Sequence, residues 1–399
     1  MLDTLPGMSQ AYGPAGRTYA GPPARPAIPP AVRKYGPRGA LFAVVVSVAL
    51  LLGALVMGFV LVASGEPRAI GIGIVLATLP VGPLVAAYFW LDRYEPEPTR
   101  LLVLAFAWGA LVATGAALVL QAVEQMVNSS GEQFSAIVMA PLTEEAAKGF
   151  FVLLMLWLRR HVIDGLVDAL VYAGLVGVGF AFTENILYFA GAYTGGPDFG
   201  PGGIASATSL FVLRGVLSPF AHPLFTSATA LGVAVAVTSR SGLLRLAAPV
   251  GGYLAAVVMH AWWNGSAFLG GGQYFLLTYV FAMVPGFLAM VSLALWGRAR
   301  EGRLLARAMH DLTRYGYLSP AELPALVSLR ARRGARRQAA AHGGPEAGRL
   351  VREYQQQAVE LATLHNRVMR GTAPAGSLER GTLMLQRLTA LRLATGWLR

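Results

Sequence analysis

No cysteine occurs among the 399 residues. That absence excludes disulfides, zinc–thiolate sites and a cysteine nucleophile, so any metal would need histidine, carboxylate or amide ligands. Charge is also scarce. Asp, Glu, Lys and Arg make up 13% of the chain, where an ordinary soluble domain carries about 25%, and a soluble globular protein is thereby excluded. Lysine is nearly missing: of 32 basic residues only Lys34 and Lys148 are lysine. The Arg, Ala and Gly bias points to a GC-rich bacterial genome, in which a lysine at 148 stands out.

What the chain does have is long apolar runs. Hydrophobic residues make up 55% of it and the mean hydropathy is +0.55. Several runs reach the ~18–25 residues needed to cross a bilayer. Eight spans are expected, at about 41–64, 69–91, 101–123, 134–158, 166–192, 207–238, 246–268 and 274–296. The fold class expected is all-α, a polytopic membrane helical bundle with a cytosolic helical tail. Loops 92–100, 159–165 and 239–245 carry Arg93, Arg100, Arg159, Arg160, Arg240 and Arg245, whereas 124–133, 193–206 and 269–273 have no Lys or Arg and 65–68 has only Arg68. The positive-inside rule then puts both termini in the cytoplasm of a bacterial plasma membrane. The net charge of +12 lies mostly in segments flanking the spans, where it orients the chain and meets anionic lipid. The bilayer is the expected partner, and nucleic acid is not.

Three regions follow. Residues 1–38 are rich in Pro, Gly and Ala with scattered basic residues and read as a disordered basic arm. Residues 39–296 form the membrane domain. Residues 297–399 are polar, basic and helical in pattern, with helices expected over 346–369 and 376–396 and a helix start at "SPAE" (319–322). There Ser319 is the N-cap, Pro320 the first helical residue and Glu322 the capping-box acid. The tail carries no chemical motif and reads as a packing or regulatory appendage.

The informative residues are polar ones inside the spans. "APLTEEAAKGFFVLLMLW" (140–157) puts Glu144, Glu145 and Lys148 in one turn of a membrane helix. Each such charge costs roughly 2.5–3.5 kcal/mol on insertion scales. At ~1.5 Å per residue, these three, His222, His260 with Asn264, and Glu184 with Asn185 fall in one slab from four different helices. Glu144 and Lys148, His260 and Asn264, and Phe180 and Glu184 are i,i+4 pairs and share a helix face. Arg214 lies near the depth of Glu184, so an Arg214–Glu184 pair is expected, in competition with snorkelling. Pro141, Pro219 and Pro223 adjoin these positions, as tolerated where backbone lines a cavity or is buried in protein. Taken singly, each residue has a plain structural explanation: a helix-locking Lys–Glu pair, a packed histidine, an interhelical asparagine. Their coincidence in depth argues for a site. Adjacent carboxylates resist joint ionisation, and a protonatable carboxyl beside a histidine suits general-base chemistry on water.

"EEAAK" (144–148), "FAFTEN" (180–185), the isolated His222 and "HAWWN" (260–264), in this order on successive spans, with "DRYEPEP" (92–98) before the third span, resemble the PrsW family of intramembrane proteases. That family is distantly similar to type II CAAX prenyl endopeptidases, and the likeness covers about 70–296. The resemblance implies hydrolysis of peptide bonds in membrane-anchored proteins, anti-sigma factors being the substrate class associated with the family. It matches Glu144 and Glu145 to the paired glutamates, Glu184 to the acid of the second motif, and His222 and His260 to the two histidines. On that basis Glu144 is the general base on water and Glu145 is held by Lys148. His260 and Asn264 polarise the carbonyl, and His222 and Glu184 complete the site. Asn185, Phe180 and Arg214 support it. His222, His260 and Glu144 suit a catalytic zinc. HExxH is absent, however, and a metal-free glutamate mechanism uses the same residues. Both alternatives stand at this point, as do two rival classes: a proton-coupled transporter, which also uses midplane acids and histidines, and a catalytically inactive membrane scaffold.

Overall fold

The computed structural model describes residue 29 and residues 37–395, apart from 65, 129–130, 161, 198, 269–270 and 374–375. The basic arm expected over 1–38 lies almost entirely outside the described residues. Fifteen α-helices, four π-helical turns and one isolated bridge, Gly196–Gly200, make up the regular structure of the described residues. The fold is therefore all-α.

The first six helices are α1 (Pro37–Ala63), α2 (Pro67–Leu91), α3 (Thr99–Ala107), α4 (Thr114–Asn128), α5 (Glu132–Phe134) and α6 (Ala140–Leu158). A π-helical turn, Trp108–Ala113, joins α3 to α4 in one span, and another, Ser135–Met139, leads into α6. Then come α7 (Leu166–Thr194), α8 (Gly203–Phe211), α9 (Ala221–Thr238), α10 (Gly242–Phe268), α11 (Gly271–Thr278) and α12 (Val284–Arg314). Among the described residues, seven stretches are long and apolar enough to cross a membrane. The expected fourth span, ending in α6, differs from them by carrying Glu144, Glu145 and Lys148, all buried.

Helix α7 is buried on nearly every side, as a helix apolar all round must be. Its start is fixed by Asp168, whose Oδ2 accepts the backbone N–H of Asp164 at 2.9 Å and of Gly165 at 3.0 Å. Lipid gives no hydrophobic drive between helices, so close approach decides packing here. At Gly177 a Cβ would sit 2.7 Å from the Cα of Pro223. Only glycine lets α9 begin against α7 at that point, which is also what brings His222 to the site.

The span expected as continuous over 207–238 is interrupted. After α8 comes a π-turn (Val212–Leu217), then a break at Ser218–Phe220, and α9 starts one residue before His222. Pro219 and Pro223 account for the break, since neither supplies a backbone N–H.

The tail has its own apolar core. Leu305, Met309, Leu312, Leu326, Tyr354, Leu361, Met384, Leu388 and Leu391 pack together, each large apolar side chain contributing about 1.5–3 kcal/mol by leaving water. It is built by the end of α12, then α13 (Leu323–Val327), α14 (Leu329–Met369) and α15 (Ser377–Thr395). The boundary expected at 296/297 falls inside α12, which runs from the membrane domain into the tail without a break. The helix expected from Ser319 also begins later. Glu322 does accept the Ser319 N–H at 2.6 Å, but residues 320–322 form a turn and α13 starts at Leu323. Helix α14 reverses at Gly344, where φ is +74° and Pro345 follows. Its two arms lie side by side, tied by Arg336 donating to Gln355 at 2.6 Å.

Candidate active site

Lys148 is the centre of the buried polar cluster. Its Nζ donates to Glu145 at 2.8 Å and to Glu144 at 3.3 Å, and lies 3.0 Å from His222 Nδ1. The ring of Phe180 on α7 closes the remaining side, 3.8 Å from Nζ to its centroid. An ammonium with no exposure to solvent thus meets two carboxylates, an imidazole and an aromatic face, the arrangement that makes a buried cation tolerable.

Glu145 is the more heavily bonded glutamate. Its Oε1 takes Lys148 and lies 3.0 Å from His260 Nδ1, and its Oε2 accepts Thr226 at 3.3 Å. Glu144 is held more loosely. Its Oε1 accepts the Gln121 amide at 3.4 Å, and its Oε2 lies 3.3 Å from Lys148 and 3.9 Å from His260 Nε2. With His260 Nδ1 turned to Glu145, Nε2 is left facing Glu144. Phe225 stacks on the His260 ring at 4.9 Å and 18°, fixing its plane.

His222 Nε2 lies 2.8 Å from Glu184, which also pairs with Arg214. Arg214 donates from Nε to Asn185 at 2.7 Å and lies 4.0 Å above the Tyr188 ring. The expected Arg214–Glu184 pair is therefore present, and it orients the acid against His222. Glu144, Glu145, Lys148, His222, His260, Glu184, Phe180, Arg214 and Asn185 form one connected network, drawn from α6, α7, α9, α10 and the π-turn before α9. Asn264 stands apart. Its amide donates to the Ala136 carbonyl at 2.8 Å, tying α10 to the π-turn before α6. Two members were not expected from sequence, Gln121 on α4 and Thr226 on α9. The only hint at Gln121 was an amide in an apolar run, and Thr226 gave none.

The donor set suits a metal. One atom each from Glu144, His222 and His260 lie within 4.8 Å of one another, and all three residues are buried. Two imidazoles and a carboxylate leave a fourth position open, as catalytic zinc sites do. A histidine that ligates zinc through one nitrogen ordinarily bonds a carboxylate through the other, and Glu145 stands in that place beside His260 Nδ1. His222 fits with one adjustment, because both its nitrogens are engaged, Nδ1 by Lys148 and Nε2 by Glu184. One of those partners would have to yield.

Known proteins agree with this reading. The model of the PrsW family of intramembrane metalloproteases matches residues 97–290. Protease PrsW of Bacillus subtilis (strain 168) is 29% identical over 119 residues, 30% of this chain and 54% of that protein. Protease PrsW of Geobacillus kaustophilus (strain HTA426) is 28% identical over 156 residues, 38% of this chain and 62% of that protein. The chain thus matches between half and two thirds of the length of these curated relatives. No solved structure matches it. The matched segment contains every member of the cluster, and over residues 97–290, just under half of the chain, the protein is similar to the PrsW family.

Proposed function

We propose that this chain is an intramembrane peptidase of the metallo type that cuts membrane-anchored proteins at the Glu144–His222–His260 cluster, with Glu144 as the general base on water. The observation that carries the assignment is the difference between the two glutamates. Glu145 is committed to Lys148, His260 and Thr226, while Glu144 has only long contacts and so keeps an oxygen available for a proton. Glu145 holds His260 in one tautomer and one plane, and Glu184 with Arg214 does the same for His222. A divalent cation such as zinc, held by His222 and His260, would polarise the scissile carbonyl and acidify the water whose proton Glu144 takes. Lys148 keeps Glu145 ionised, which lets Glu144 vary its protonation during turnover. Because the Asn264 amide is spent on Ala136, we assign that residue to helix positioning rather than to the oxyanion. The substrate class follows from the family resemblance: single-span proteins of the anti-sigma-factor type.

The test is incubation of purified wild-type and Glu144→Ala protein with single-span membrane proteins, with metal content measured on the same samples. Wild type is expected to cleave and to hold metal, and Glu144→Ala to lose on the order of 10³-fold or more in rate. Cleavage by Glu144→Ala at the wild-type rate overturns the mechanism. Glu144-dependent ion flux in proteoliposomes without proteolysis would return the transporter reading.

A further inference from the structure

A second polar cavity lies outside the membrane domain and has no part in the chemistry above. It is a cleft of about 230 Å³ between the loop after α2 and the folded-back arms of α14, lined by Arg93, Arg332, Arg333, Arg336, Gln355 and Gln356 among others. Four guanidiniums converge there and no carboxylate lines it. Among the described residues none of the four has an acidic group within salt-bridge distance. Glu95 and Glu301 are near enough to influence Arg332 but do not bond it.

This is a built site rather than a solvated face. Arg332 is only 4% exposed. Its Nε donates to the Leu326 carbonyl at 2.6 Å and its Nη1 to the Tyr94 carbonyl at 2.8 Å, while its Nη2 is buried without a partner. Gln355, fully buried, donates its amide to the Ala325 and Arg332 carbonyls, both at 3.2 Å, so its oxygen must face Arg336, which it holds at 2.6 Å. Two of the cations are therefore fixed before anything binds. Burial and the neighbouring Arg336 push the Arg332 guanidinium down to about 10, a measure of how poorly its charge is balanced.

We propose that this cleft binds a phosphate-bearing anion. Guanidinium forks match phosphate oxygens in pairs, and a buried unpaired N–H among gathered cations gains most from such a ligand. Arg93 lies two residues beyond the end of α2. Nearby, Arg298 stacks on Trp90 at 4.0 Å, an aromatic at the membrane boundary. The cleft therefore stands at headgroup level on the side where the arginine-rich loops lie. The phosphate comes either from an anionic phospholipid or from a soluble phosphate. In both cases it joins the tail to the 92–98 loop. The inference does not depend on the peptidase reading.

The experiment uses the full chain in neutral detergent and in vesicles, reading the thermal unfolding midpoint and the lipids retained in native mass spectrometry. The probes are inorganic phosphate against chloride at equal ionic strength, and phosphatidylcholine with or without phosphatidylglycerol. Wild type is compared with Arg93→Gln/Arg333→Gln, in which Arg332 and its carbonyl bonds are untouched; each single substitution is the fallback if the pair does not fold. Wild type is expected to be stabilised by at least one phosphate probe, with the double variant needing 10- to 100-fold more of it. Stabilisation by phosphatidylglycerol alone assigns a headgroup, and by inorganic phosphate a soluble ligand. The proposal is overturned if neither probe shifts wild type beyond its control, or if wild type and variant shift equally.

Discussion

Lys148 and Arg332 are both nearly inaccessible to water, yet their surroundings are opposite. Lys148 touches two glutamates, with Glu184 close enough to add to their field. Arg332 touches two backbone carbonyls and faces another arginine. In the bilayer an unpaired cation costs several kcal/mol, and the fold must carry its own counter-charge. Outside the bilayer water and diffusible anions are at hand, and the fold can leave the counter-charge out. A self-neutralised site therefore does chemistry without recruiting an anion, whereas an unneutralised one is a receptor for an anion.

The comparison breaks first at Lys148. In Lys148→Met protein, Glu144 and Glu145 remain buried with no cation between them, and a loss of about 3–5 kcal/mol is expected. Thermal unfolding in detergent measures it. Adding Glu145→Gln should recover part of the loss, because the two changes remove one interaction from both ends. If Lys148→Met unfolds like wild type, the cluster is not held by its charges. Arg332→Met, measured the same way without phosphate or anionic lipid, is expected to cost only about 1–2 kcal/mol. It forfeits two bonds to carbonyls but leaves no opposite charge stranded.

Much of the first region was legible in the sequence and little of the second. Glu144, Glu145 and Lys148 announce themselves as charges in an apolar run, and helical rise with the loop charges put His222, His260 and Glu184 in one slab, Arg214 lying near the depth of Glu184. The approximate spans follow from run length. Rise and periodicity do not say how helices turn about their axes. They missed the Gln121 and Thr226 contacts, and the resemblance gave Asn264 to the scissile carbonyl when its amide is bonded to Ala136. The interruption at Ser218–Phe220 was hidden because apolar residues continue on both sides of it, with only the prolines to mark it. The arginine cleft draws on residue 93 and on 332–336, segments that share no periodicity. Only the reversal of α14 at Gly344 and its docking on the 92–98 loop bring them together.

An acid next to the cleft sharpens the comparison from the other side. Asp92 is 5% exposed, has no salt-bridge partner among the described residues, and keeps one oxygen unbonded. Burial pushes its carboxyl up to about 7 from 3.8, against the backbone bond from Glu97. An acid can solve isolation by keeping its proton, which arginine cannot do. The folded state then binds more protons than the unfolded chain between about pH 4 and 7, so stability falls as pH rises through that window. Asp92→Asn should flatten the decline by about 2–3 kcal/mol between pH 5 and 8, a tenfold change in proton affinity being worth about 1.36 kcal/mol. Some slope should remain, because burial and Asp164 raise Glu95 as well. Unfolding midpoints of wild type and variant between pH 5 and 8 decide it. Parallel curves would mean that Asp92 is ionised throughout.

The smallest effect is also the most discriminating, because its sign should change with the solvent. Arg333 is exposed, and the one bond its side chain makes is a 3.4 Å contact from its Nε to the Leu329 carbonyl. In detergent free of phosphate and anionic lipid, Arg333→Gln removes one of four mutually repelling charges and loses almost nothing in exchange. It should leave stability unchanged or raise it by about 0.5 kcal/mol, the scale of exposed charge interactions. In vesicles containing phosphatidylglycerol the same substitution should lower stability relative to wild type, because the ligand then makes use of the charge. A surface arginine with no ligand would show the first behaviour and not the second, and a merely structural one would be destabilised equally in both. Only an unneutralised site awaiting an anion reverses sign, and that reversal separates the cleft from the self-neutralised cluster around Lys148.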